Sequence, residues 1–219
     1  MCVRLFLVPM NPIESMRSIY SLALFTIVSF TLFACTSLAQ DRPASPRGEV
    51  STQVGGAYVD GDYEGGKWII IEYGRPILRG RTNHFGEGDT YGDGIKSGAE
   101  VWRAGANKST TLVTESDLMF GNAHLPAGEY TVFIEPDADK WTLIISSHKA
   151  QAVYQQGEGI WGAYGYDAEM DVMRLDMALS KAPFSFDQLT FSFVNMTQSG
   201  GTLAIMWENE LAALDFMAH

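Results

Sequence analysis

The chain has 219 residues, 46% of them hydrophobic, 19% charged and 12% aromatic, a balance that suits a packed globular domain and argues against a disordered polymer. Its formal net charge of −11, with no run of Lys or Arg, argues against nucleic acid as a partner, because the field of the whole protein would repel a polyanion. The only two cysteines, Cys2 and Cys35, lie in or before an N-terminal apolar run, so the domain beyond it has no internal disulfide, thiolate metal site or cysteine nucleophile.

Residues 18–34 (SIYSLALFTIVSFTLFA) form an uncharged apolar stretch behind Arg17, the order of charges and apolar residues found in a secretory signal. The stretch is short for a membrane span. Residues 1–15 contain Pro12 and Glu14 and do not help such a signal, so translation is expected to start at Met16. Two processing sites compete at the end of the 1–35 leader. Leu32-Phe33-Ala34-Cys35 resembles a lipobox, which would make Cys35 the acylated N-terminus, and Ser37-Leu38-Ala39 suits ordinary signal peptidase. The lipoprotein reading is favoured, since Cys35 has no packing role to fill in a domain otherwise free of cysteine. Residues 36–48, with DRPASPRG at their end, are expected to be a tether.

Beyond the tether, residues 49–219 show no composition break or repeat and read as one domain. Residues 67–73 (KWIIIEY) are β-branched and aromatic; 129–135 (EYTVFIE) and 140–146 (KWTLIIS) follow, separated by the turn Pro136-Asp137-Ala138-Asp139. Trp141, Leu143 and Ile145 fall on one face of such a strand. The same alternation predicts strands over 172–179, through Met173, Leu175, Met177 and Leu179, and over 189–194, through Leu189, Phe191 and Phe193. A last strand is predicted over 202–208, after Gly200-Gly201, with peripheral helical turns near 149–155 and 210–214. Many short strands without a long helical period predict an all-β fold, an antiparallel β-sandwich or jelly-roll-like single domain.

Several strings carry a resemblance. Tyr73-Gly74-Arg75-Pro76 with Arg79-Gly80-Arg81, Val101-Trp102-Arg103-Ala104-Gly105-Ala106-Asn107 with Ser109-Thr110-Thr111, and Leu125-Pro126-Ala127-Gly128-Glu129-Tyr130 are similar to the bacterial domain-of-unknown-function family 2911. Trp161-Gly162-Ala163-Tyr164 with Asp171-Val172, Gln188-Leu189-Thr190-Phe191 and Ala204-Ile205-Met206-Trp207 extend the similarity over most of the domain. The resemblance implies an exported bacterial protein, often with a lipoprotein leader, and brings no activity and no catalytic residues. The Gly/Asp loop over 83–98 is longer than the family pattern.

Arg75, Arg79, Arg81 and Arg103, joined by Trp102 and Asn107, sit in the two most distinctive strings. Converging guanidinium forks clamp a carboxylate or phosphate in a planar, bidentate way. Against that stands an architectural reading, in which Arg75 and Arg103 pair with Glu72, Glu100, Glu135 or Glu208; burial of Arg103 against a carboxylate is the expectation. His84, Glu87, Asp89 and Asp93 lie close together in NHFGEGDTYGDG and are candidate metal ligands, although their spacing is not that of an EF-hand. None of His84, His124, His148 and His219 falls in a nucleophile-elbow or HExxH pattern. Trp102, Trp161, Tyr164 and Tyr166 are candidates for an aromatic platform for a sugar or peptide, or for core. No motif calls for a cofactor. The expectation is an exported envelope protein of the periplasm or membrane surface, a non-catalytic binding or structural module anchored through lipid on Cys35. Its ligand would be a small anion or a carbohydrate. The alternative is a hydrolase-type enzyme using the arginine cluster or the His84 loop.

Overall fold

A computed structural model describes residues 43–219. The leader, the Met16 start, Cys35 and the first part of the tether lie outside the described residues. The domain is all-β: one antiparallel sheet of nine strands folds over a single core, and a two-stranded hairpin stands beside it.

The strands are β1 (Arg47–Val54), β2 (Ala57–Val59), β3 (Asp62–Glu64), β4 (Lys67–Gly74), β5 (Thr110–Thr114), β6 (Leu118–Phe120), β7 (Ala123–Leu125), β8 (Gly128–Pro136), β9 (Lys140–Ser146), β10 (Asp171–Thr197) and β11 (Gly200–Ala218). The large sheet runs β1-β4-β5-β8-β9-β10-β11-β6-β7, and β2 and β3 pair only with each other. Arg47 and Gly48, placed in the tether by composition, belong to β1, where they pair with Gly74 and Tyr73.

Alternation decides which side chains enter the core. Ile69, Ile71 and Tyr73 of β4 point inward, as do Trp141, Leu143 and Ile145 of β9, while Trp68 and Glu72 face solvent. The β8–β9 pair is buried on its outer face as well: Phe133 and Ile144 pack there against Val101, Ile160 and Ala163. That outer cluster pins the loop preceding β10 to the sheet.

The two segments 172–179 and 189–194 are one bent strand, β10, with register shifts between Lys181 and Phe186 and between Phe186 and Thr190. Its first half pairs with β9 and its second half with the start of β11, so the bulged corner carries the sheet over the core. The Pro76–Leu78 stretch closes the fold, since Leu78 N–H donates to Asp187 O at 2.7 Å and Leu189 N–H to Pro76 O at 3.1 Å. Residues 210–214 are strand rather than a helical turn. Glu210 pairs with Lys181 and Ala212 with Leu179, and this pairing overrides the helix preference of Glu, Leu and Ala. The 149–155 segment is an irregular loop tied by isolated bridges.

At one end the core becomes aromatic. Phe85, Trp102, Trp141 and Trp207 interlock, with Trp102 and Trp207 stacked at 5.9 Å and Trp102 and Trp141 edge to face at 5.8 Å. The Gly/Asp loop lies over this end and drives Phe85, and Ile95 from within its short helix α1 (Asp93–Lys96), into the core.

Candidate functional site

Above the aromatic end lies a cleft of about 460 Å³, walled by Pro76, Arg81, His84, Trp102, Arg103, Asn107, Tyr164 and Trp207, with Ser45 and Ser97 at its margins. Six candidates from the sequence, Arg81, His84, Trp102, Arg103, Asn107 and Tyr164, therefore meet in one place.

Arg103 is set by its neighbours in the chain. Trp102 exchanges two backbone hydrogen bonds of 2.8 Å with Ile134, and its buried indole donates to Gly105 O at 3.1 Å, so the residue after it must leave the sheet towards the cleft. The turn that follows lies so close to β4 that a Cβ on Gly74 would overlap the Ala106 carbonyl. Ala104 and Asn107 hold positive φ angles of 48° and 64°, strain of the kind that collects at binding sites.

The opposite wall is the turn Trp161-Gly162-Ala163-Tyr164. Ser109, fully buried, fastens it by placing Oγ 2.7 Å from Gly162 O and 3.2 Å from Ile160 O. Gly162 adopts a φ of 65°, and a Cβ there would come within 2.7 Å of Arg103 Nη1, so glycine is needed for both the backbone and the space. The turn brings the Tyr164 ring to 5.1 Å from the Arg103 guanidinium, a cation–π distance.

The charge balance of the cleft is one-sided. Arg103 is only 9% exposed, yet no carboxylate lies within ion-pair distance among the described residues; its polar contact is Nη1 to Asn107 O at 3.4 Å. The expected partners are engaged elsewhere. Glu72 pairs with Arg47, Glu135 with Arg174, and Glu208 accepts from the backbone N–H groups of Asn83 and His84. Glu100 forms no ion pair among the described residues. Arg81 donates to the carbonyls of Leu78 at 3.0 Å and Ile77 at 2.9 Å and likewise meets no carboxylate. Burial, and then the positive charge of Arg81, hold the His84 pKa below its usual value, with Glu208 acting weakly in the other direction. The imidazole is therefore neutral at pH 7, its ring edge-on to Trp207 at 4.5 Å. Trp207 is 2% exposed, and its Nε1–H meets no acceptor among the described residues.

The other candidates part company. Arg75 lies along Gly48 and reaches Leu189 O at 3.4 Å, and Arg79 donates to Ala44 O at 2.8 Å; neither lines the cleft. The proposed metal set is not assembled. Among the described residues no three His, Cys, Asp or Glu converge to hold an ion. Glu87 faces a separate cleft of about 350 Å³ beside Glu208 and Glu210, and Asp93 pairs with Lys96 at 2.9 Å. Anchoring of the loop by Phe85 and Ile95 splays these side chains apart. Tyr166 belongs to the Phe133–His148 cluster and Trp102 to the core; of the remaining aromatic candidates Tyr164 is exposed and Trp161 half-buried. Trp207 and Ser97 were not among the candidates. Trp207 ends the string Ala204-Ile205-Met206-Trp207, and the inward alternation of 202–208 is a second signal for it.

The model of the family described as a protein of unknown function (DUF2911) matches residues 45–216, and the chain belongs to that family. No curated protein and no solved structure matches the chain.

Proposed function

We propose that this DUF2911 chain is an exported binding module, held at the membrane by lipid on Cys35, whose arginine cleft takes a small organic anion without chemically changing it. One observation carries the reading: Arg103 is nearly buried, fixed by Gly162 and Tyr164, and lacks a carboxylate partner among the described residues. A desolvated cation in a protein interior is costly unless compensated, and a ligand anion is the compensation that a cleft permits. Arg81 lines the same cleft but is exposed and already donates to the Leu78 and Ile77 carbonyls, and His84 is neutral, so among the described residues Arg103 is the one desolvated cation of the site, which suits a monoanion. Calorimetric titration with acetate, lactate and inorganic phosphate tests it. Carboxylate binding that disappears in Arg103→Gln while the fold persists supports the reading, and no binding of any of the three refutes it.

A neutral imidazole in the same cleft also favours a second reading, a hydrolase with His84 as general base. No serine hydroxyl or carboxylate hydrogen-bonds the His84 ring among the described residues, so a water would have to be the nucleophile. Ester or glycoside turnover lost in His84→Gln would establish that reading, and its absence in the wild type would dismiss it.

A further inference from the structure

We infer that the anion is the acidic sugar of an oligosaccharide, with its carboxylate on Arg103 in the cleft and the neighbouring sugar rings lying along an aromatic rim outside it. The inference rests on the anion-binding reading above and adds the class of ligand. Its independent basis is the surface next to the cleft. Tyr164, 51% exposed, belongs both to the cleft wall and to the turn that it closes with Trp161, where Tyr164 N–H donates to Trp161 O at 3.2 Å. The Trp161 ring in turn lies 5.6 Å from that of Tyr154, which is 54% exposed. Aromatic side chains thus stand beside the arginine cleft, Tyr164 and Tyr154 exposed and Trp161 half-buried, and the Trp161–Tyr164 turn is held by Ser109 and by Ala163 in the Phe133–Ile144 cluster. Exposed aromatics grouped beside a cleft mark a binding surface rather than incidental exposure.

The lining of the cleft selects among ring-bearing acids. Asn107, Ser45, Ser97 and His84 add neutral hydrogen-bonding groups around the two guanidinium groups. Many neutral donors and acceptors beside one fixed cation match a ring carrying one carboxylate and several hydroxyls. A simple aryl acid would leave those groups unmatched, and a buried polar group that loses water without gaining a partner opposes binding. A peptide C-terminus would call for backbone N–H groups to capture its carboxylate and continue its chain. Here the positive charge sits on the Arg103 and Arg81 side chains, and the rim presents aromatic side chains, on which the C–H faces of sugars pack.

The test uses the purified protein with glucuronic acid, a galacturonic acid tetramer, glucose, acetate, benzoate and a Gly-Gly-Gly peptide. Expected are uronic acid binding at least about tenfold tighter than acetate or benzoate, a tetramer tighter again, and no response to glucose. Replacing Tyr154, outside the cleft and its wall, by alanine should reduce the tetramer towards the affinity of the monomer and leave the monomer unchanged. Arg103→Gln should abolish both. Equal affinity for acetate and uronic acid, a tetramer no better than the monomer, or tighter binding of the peptide or benzoate would each overturn the sugar assignment while leaving the anion site in place. Failure of every carboxylate to bind would remove the anion site and this inference together.

Discussion

Truncating Arg103 to alanine distinguishes an arginine that holds the fold from one that holds a ligand. Cutting one member from a buried ion pair strands its partner and costs about 3–5 kcal/mol. Among the described residues Arg103 has no carboxylate to strand, only the Asn107 carbonyl at 3.4 Å and the Tyr164 face at 5.1 Å. A neutral-acceptor hydrogen bond and a cation–π contact near the surface contribute about 1 kcal/mol each at most, and removing a poorly solvated cation beside Arg81 offsets part of their loss. The net cost is then about 1 kcal/mol, which lowers Tm by roughly 2–4 °C in a domain of this size, against roughly 6–20 °C for a broken buried pair. Carboxylate affinity should fall about ten- to hundredfold, the equivalent of one charge-assisted hydrogen bond of about 1.5–3 kcal/mol. Thermal melts and calorimetry on wild type and Arg103→Ala read both quantities. A drop in Tm beyond about 10 °C, or an unchanged carboxylate affinity, would refute the reasoning.

Gly162→Ala places a methyl 2.7 Å from Arg103 Nη1 at a φ of 65°, so we expect a loss of about 1–2 kcal/mol in chemical denaturation together with weaker anion binding; wild-type affinity would mean that Arg103 does not need this seat. Ser109→Ala removes the hydroxyl 2.7 Å from Gly162 O in a fully buried position, and about 1–3 kcal/mol should be lost in urea unfolding, with Tyr164 released from its wall. Because the His84 pKa is lowered in the folded protein, the unfolded chain takes up a proton first as pH falls through about 6.5, so this residue's contribution to stability is present above that range and lost below it. Below the folded pKa a third cation enters the cleft. Anion affinity should therefore rise as pH falls below about 6.5 and through the lowered folded pKa, and stay flat in His84→Gln. Mass spectrometry of the native protein should show a lipid-modified Cys35, and a mature chain starting at Gln40 would exclude the lipid anchor.

Legibility of the fold followed the range of the interactions. The β9 segment was read with the bounds it has, because Trp141, Leu143 and Ile145 alternate without interruption between turn residues. The single bent β10 was not, since its two halves look like separate strands and the bulge between Lys181 and Thr190 is set by pairing with β11. Residues 110–114 (TTLVT) escaped notice because threonines look polar, yet Thr110 is fully buried with its hydroxyl on Ala104 O at 3.1 Å. The site was half legible. Arg103, Arg81 and His84 stood out by type, but which arginines converge depends on the lacing of Pro76–Leu78 to β10, which takes Arg75 and Arg79 away from the cleft. The absence of a carboxylate beside Arg103 is a property of packing, invisible to composition in a chain with 26 acidic residues.

The binding claim meets its most direct test in an NMR titration of the protein with glucuronic acid, followed at the arginine Nε–H and tryptophan indole N–H resonances. The account predicts saturable shifts at Arg103, Arg81 and Trp207, with Arg75 and Arg79 unmoved. No shift at Arg103, or equal shifts at all four arginines, would contradict it.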